Sequence, residues 1–108
     1  MATKNKIIKI DIEKSMPKVF EYKKYKNDGV MIFSILENNQ EVDLSDYTAR
    51  IYCQTHNKSF SVQCNITNNT VEFPLTEDIF LEKGTVSFEI VFVGKSQRVT
   101  TFRMYLKI

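Results

Sequence analysis

The sequence predicts an all-β fold, an immunoglobulin-like antiparallel β-sandwich with one short helical turn near residues 76–83. Three observations carry this. Eight Phe and five Tyr accompany many Ile and Val, while Trp is absent and Ala is scarce, a balance that favours strands over helices. Most segments alternate apolar and polar residues with the period of two that marks a half-buried strand. Turn-forming residues punctuate them at Asn27-Asp28-Gly29, Asn38-Asn39, Asn68-Asn69 and Gly94-Lys95-Ser96. At 108 residues the chain has the length of one domain, taken as 1–108 with a polar, flexible stretch at 1–6. A chain of this size hides about two-thirds of its unfolded surface, so its core needs no metal or disulfide.

In chain order, Ile7, Ile8, Ile10 and Ile12 interleave with Lys9, Asp11 and Glu13 as a first strand. Ser15-Met16-Pro17 interrupts it, because Pro lacks the N–H that a ladder needs. Residues 19–25 form a second extended piece, whose lysines mark an edge. Residues 30–36 are apolar on both faces, as in a central strand or a short buried helix; the length, branched residues and flanking turns favour the strand. Asn38-Asn39 supplies the positive φ of a tight hairpin. In the loop that follows, Leu44 and Tyr47 read as inward anchors, and Asp43 and Ser45 as the residues that satisfy its turn.

Ala49, Ile51 and Cys53 then point inward and set the register for Phe60, Val62, Cys64 and Ile66. Val71, Phe73 and Leu75 form a short strand. Thr76 caps the helical turn, acidic residues occupy its start, and Gly84 ends it. Val86, Phe88, Ile90 and Phe92 face inward on the next strand. On the last strand Phe102, Met104, Leu106 and Ile108 do so, with Thr101, Arg103, Tyr105 and Lys107 facing out. The residues read as fold anchors are Leu44, Tyr47, Ile51, Phe88 and Phe102.

A net charge of +2 argues against nucleic acid as a partner. The charge is unevenly spread: residues 1–28 hold eight lysines against four carboxylates, and the remainder seven basic against nine acidic side chains. Lysines on an edge strand also deter sheet-to-sheet aggregation. No apolar run approaches the ~18 residues that span a bilayer, so no membrane partner is expected. The start Met1-Ala2-Thr3-Lys4-Asn5-Lys6 leads into no signal-peptide core, which predicts synthesis and retention in a cytoplasm. Asn65-Ile66-Thr67 and Asn68-Asn69-Thr70 match the glycosylation sequon and are read as turn chemistry.

No constellation of catalytic or cofactor-binding type emerges. A hairpin turning at Lys58-Ser59 sets Cys53 opposite Cys64, near enough for a bridge; in a reducing compartment they are read as packed thiols. Two Cys and one distant His fall short of a zinc set. His56 has no acidic or nucleophilic neighbour in sequence. Gly94-Lys95-Ser96 matches the tail of a phosphate-binding loop, but Glu89 stands where its first Gly belongs. Asp43, Asp46, Glu77 and Asp78 follow no calcium-loop spacing. Tyr22, Tyr25, Tyr52 and Tyr105 are the candidates for outward aromatics.

The order Asp28-Gly29, a buried strand, Asn38-Asn39, then Val42-Asp43-Leu44-Ser45-Asp46-Tyr47-Thr48 resembles the N-terminal domain of phage baseplate upper proteins. These occur in tailed phages and prophages of Gram-positive bacteria. The similarity continues through Val71-Glu72-Phe73-Pro74-Leu75, Gly84 and Thr100-Thr101-Phe102, covering residues 7–108. The resemblance implies a β-sandwich made in the host bacterial cytoplasm and built into the virion tail. There it would dock onto the baseplate core near the distal tail protein and help carry receptor-binding proteins, self-associating in the assembled baseplate. Family members continue into a helical stalk and further domains, whereas this sequence stops at Ile108.

The candidate docking segment runs over residues 7–26, with Ile7, Lys9, Lys18, Lys23 and Lys24 its named contacts; the outer face of the last hairpin is the second candidate. Deletion of residues 1–14 is expected to abolish docking without unfolding the sandwich. The rival reading is a carbohydrate-binding sandwich that recognises a bacterial cell-surface glycan, which calls for aromatic side chains along one outer face.

Overall fold

A computed structural model describes residues 7–14, 18–27, 29–76, 84–101 and 103–108. It is an all-β sandwich. The first sheet contains β1 (Ile7–Asp11), β3 (Val30–Glu37) and β7 (Thr70–Pro74), with the two-residue β4 (Gln40–Glu41) folded back on β3. The second contains β5 (Thr48–Gln54), β8 (Thr85–Val93), β10 (Met104–Lys107) and β2 (Val19–Glu21), with β9 (Arg98–Thr100) beside the end of β8. β6 (Ser59–Thr67) belongs to both: residues 59–64 pair with β5, and residues 65–67 pair with β7. A 3-10 turn, Tyr22–Lys24, follows β2.

The sandwich is mixed, where an antiparallel one was expected. β1 runs parallel to β3, and β2 runs parallel to β10. Side-chain alternation reports which face is buried and is silent on strand direction. Parallel neighbours require a long connection. β1 and β3 have one, because the intervening chain visits the edge of the other sheet as β2.

Alternation places the core. β5 buries Ala49, Ile51 and Cys53 and exposes the residues between them. β3, the interior strand of its sheet, buries Met31, Phe33 and Ile35 inward, while Ser34 on its other face accepts a 2.7 Å bond from Asn69 Nδ2. The rings of Phe33 on β3, Phe73 on β7 and Phe20 on β2 surround Phe88 on β8 at centroid distances of 6.0, 5.4 and 6.3 Å. The turns follow from residue type. Asn38 and Asn39 both take positive φ, 51° and 68°, as a primed two-residue hairpin requires. Gly29, at φ 73°, turns the chain into β3.

Two details of register differ from the reading of the sequence. The β5–β6 hairpin turns at His56-Asn57 rather than Lys58-Ser59, so Cys53 faces Phe60 and Cys64 faces Ala49. Thr55 decides this: its Oγ1 accepts the N–H groups of Asn57 and Lys58 at 3.2 and 3.0 Å, closing the turn early. In the last hairpin, Val91 pairs with Thr100 but Phe88 with Met104, so the return strand carries one extra residue, a β-bulge. The bulge turns Thr101 inward, where an outward side chain was expected. It is buried, its Oγ1 accepts the Ile90 N–H at 3.0 Å, and its own N–H donates to the Ile90 carbonyl. The expected helical turn at 76–83, apart from Thr76, and Phe102 lie outside the described residues.

Replacing Thr101 by Val leaves the buried Ile90 N–H without its acceptor and is expected to lower stability by about 1–3 kcal/mol. Thr101→Ser keeps the hydroxyl and is expected to retain most of that stability; urea denaturation of the two variants measures the difference.

Candidate docking surface

The residues singled out for docking divide between the two sheet edges. Ile7 and Lys9 point outward on β1, at the margin of the first sheet, with Ile7 58 % exposed. Lys18 precedes β2, and Lys23 and Lys24 lie on the 3-10 turn that follows it, at the margin of the second sheet. Val19, 66 % exposed, stands on the outward side of β2. Lys24 pairs with Glu21 at 3.9 Å, with both side chains well exposed, so this pair adds little to stability. The segment thus offers two surfaces rather than one. Its inward side chains belong to the core: Ile10 is fully buried, and Phe20 packs on Phe33.

Asp11 fastens the first of these edges. Its Oδ1 accepts the N–H of Glu13 at 3.0 Å and of Asn38 at 3.1 Å, and its Oδ2 accepts the N–H of Asn39 at 2.8 Å. Lys14 lies 3.9 Å away and donates to Asn39 Oδ1 at 2.9 Å. Burial pushes this carboxyl up, but the three N–H groups and the Lys14 charge outweigh it and hold the pKa below the ordinary value of 3.8. Nothing in the sequence marks Asp11, since its partners are backbone groups of a turn some 27 residues away. A depressed carboxyl stabilises the fold above its unfolded pKa, and that contribution disappears as pH falls through the folded value. Asp11→Asn is therefore expected to melt below the parent at pH 7, with the gap closing as the pH is lowered beneath the carboxylate range; melting curves across pH check this.

At the end of the sandwich near the β8–β9 turn, the loop before β5 is held by Leu44, which is buried, and by half-buried Tyr47. Asp43 Oδ1 accepts the Ser45 N–H at 3.0 Å, which closes the loop and holds the Asp43 pKa low. The Tyr47 hydroxyl donates to Gln97 Oε1 at 2.7 Å, and its ring lies over Gly94, where an added Cβ would come within 3.0 Å of ring carbon Cε1. The Gln97 bond restrains the ring from yielding. Gly94→Ala is expected to cost about 1 kcal/mol through this overlap. In a Tyr47→Ala background the same change should be neutral or stabilising by about 0.5 kcal/mol, because Ala restricts the unfolded chain. A double-mutant cycle in urea reads the coupling.

Among the described residues, the candidates weighed for reactive chemistry are spread apart. Cys53 and Cys64 are free and buried. Burial, with the charge of Cys64 adding to it, pushes the Cys53 thiol up to about 12; burial likewise pushes Cys64 up to about 12. Neither supplies a thiolate near neutral pH. His56 sits exposed in the β5–β6 turn. Among the described residues no group of three His, Cys, Asp or Glu is placed to hold a metal ion. Nor is any helix among them long and apolar enough to cross a membrane.

The architecture itself has a counterpart among solved structures. It is similar to the N-terminal domain of phage TP901-1 ORF48, with a TM-score of 0.66 over 94 % of this chain and 94 % of that one. The two share one fold. Sequence identity between the two is 9 %, so the likeness is one of backbone course. The sequence matches no family model and none of the curated proteins. Sequence reasoning missed the exposed Val19 and Val93, and it did not single out the trough around Tyr52 on the outer face of the second sheet. The outward position of Tyr52 in the β5 alternation was the available signal.

Proposed function

We propose that this chain is the N-terminal docking domain of a phage or prophage baseplate protein. It attaches to the baseplate core at the distal tail protein and helps to carry receptor-binding proteins, with copies side by side in the virion tail after synthesis in the host cytoplasm. The observation that carries the reading is the fold match across 94 % of both chains to a phage N-terminal domain. The ordered motif series in the sequence leads to the same family independently.

The two margins of the sandwich are the surfaces best suited to docking. Each combines an exposed branched apolar side chain, Ile7 or Val19, with nearby lysines, and each presents a strand edge to which another backbone can pair. The structure also corrects the expectation that residues 1–14 can be deleted without unfolding the sandwich. β1 holds five register pairs with β3, and Ile10 is fully buried, so the deletion would open the core.

Surface substitutions replace that test. Ile7→Glu with Lys9→Glu alters the first margin, and Val19→Glu with Lys23→Glu alters the second, with no core residue touched. One of the two pairs is expected to weaken binding to the purified distal tail protein by at least about tenfold, a loss of ~1.4 kcal/mol. Circular dichroism should show an unchanged fold for both. Parent-like binding by both variants in calorimetry would remove the N-terminal segment as the docking site.

A further inference from the structure

The outward face of the second sheet carries a trough with a volume of about 450 Å³ over β5, β6 and β8. Register explains its shape. Tyr52 stands between Ser61 on β6 and Glu89 on β8, and Gln54 stands between Ser59 and Ser87. Short serine side chains on two strands leave a depression, and Tyr52, 47 % exposed, and Arg103 rise beside it. Tyr105, opposite Ser87 on β10, shares this face two strands away from Tyr52, about 10 Å across at the usual strand spacing.

Three properties narrow what such a trough receives. β5 and β8 are interior strands, so no ladder position beneath Tyr52 and Glu89 is open to an added strand. The two charges of the lining are paired: Arg103 donates from Nε and Nη2 to Glu89 Oε1 at 3.1 and 3.0 Å, while Arg50, just outside the lining, donates from Nη1 to Ser61 Oγ at 2.9 Å. The remaining polar groups of the lining are neutral hydroxyls and a carboxamide, set beside the apolar surface of Tyr52 and Phe60. A neutral polyol meets all three conditions. Its C–H face stacks on a tyrosine ring, and its hydroxyls both donate and accept among serine, amide and ion-pair groups.

We infer that this trough binds a neutral saccharide one or two rings long. The sugar stacks on Tyr52 and is hydrogen-bonded by Gln54, Ser61, Ser87 and the Glu89–Arg103 pair. The site lies on a sheet face, apart from the margins assigned to docking, and does not depend on the baseplate reading.

Amide chemical shifts of the full chain, followed during titration with cellopentaose, chitotetraose and maltopentaose, test it. At least one of these sugars should shift amides of residues 50–54, 59–63 and 87–91 in a saturable manner. Tyr52→Ala should then weaken binding by at least about tenfold, whereas Tyr52→Phe, which keeps the ring, should stay within about threefold. The spectra of the variants report their folding directly. The inference is overturned by no saturable shift with any of the three sugars, by shifts confined to the sheet margins, or by parent-like binding of Tyr52→Ala. It is equally overturned if the same amides shift with protein concentration alone, which would make the face a contact between two copies.

Discussion

Phe88 is the point at which both sheets and the N-terminal segment touch. Its ring meets Phe73 and Phe33 of the facing sheet and Phe20 of β2. Aromatic contacts of this kind contribute about 0.5–1.5 kcal/mol each beyond the area they bury. Their larger effect here is geometric. Phe20 reaches Phe88 only if β2 lies beside β10, and Phe33 reaches it only if the two sheets face each other at the proper depth. Every surface with an assigned role is thereby positioned from the inside. The margins proposed for docking sit where β1 and β2 are held, and the trough around Tyr52 lies on the outer side of the strand pair whose inner side presents Ile51, Cys53 and Phe88.

The N-terminal segment resolves a problem common to all open sandwiches, whose outermost strands expose unpaired backbone groups. Here one continuous segment covers an edge of each sheet, first as β1 and then as β2, and at the opposite corner β6 passes from one sheet into the other. What remains exposed is the outer margin of the segment itself, which carries Lys9, Lys23 and Lys24 among its polar residues. Those lysines deter indiscriminate strand pairing, and between them Ile7 and Val19 stay exposed.

Features governed by local chemistry were legible in the sequence. Ala49, Ile51 and Cys53 declared their face through alternation, Asn38-Asn39 declared a primed turn, and Asp43 with Ser45 declared the loop before β5. Features that depend on how distant segments meet were not. The direction of β1 and β2 is decided by where the chain travels between them. The hairpin register follows from one threonine hydroxyl, at Thr55, rather than from the cysteines that seemed to face each other. Thr101 is polar and alternates like an outward residue until a bulge reverses it. For the segment proposed for docking, the sequence did not show that its residues divide over two margins. Asp11 was indistinguishable from any solvated carboxylate, because its partners are main-chain groups.

The pairing of β2 with β10 has a consequence for how the molecule comes into being. Val19 lies beside Tyr105, so β2 finds its neighbour only after the roughly 86 residues that separate them in sequence have been made. Contacts so far apart along the chain are formed late and slowly, since a large loop must close before any of their energy is gained. During synthesis the central strands can assemble while Phe20 still lacks β10 as its neighbour. The β2 margin, one of the two proposed for docking, is thereby the last part of the sandwich to be completed.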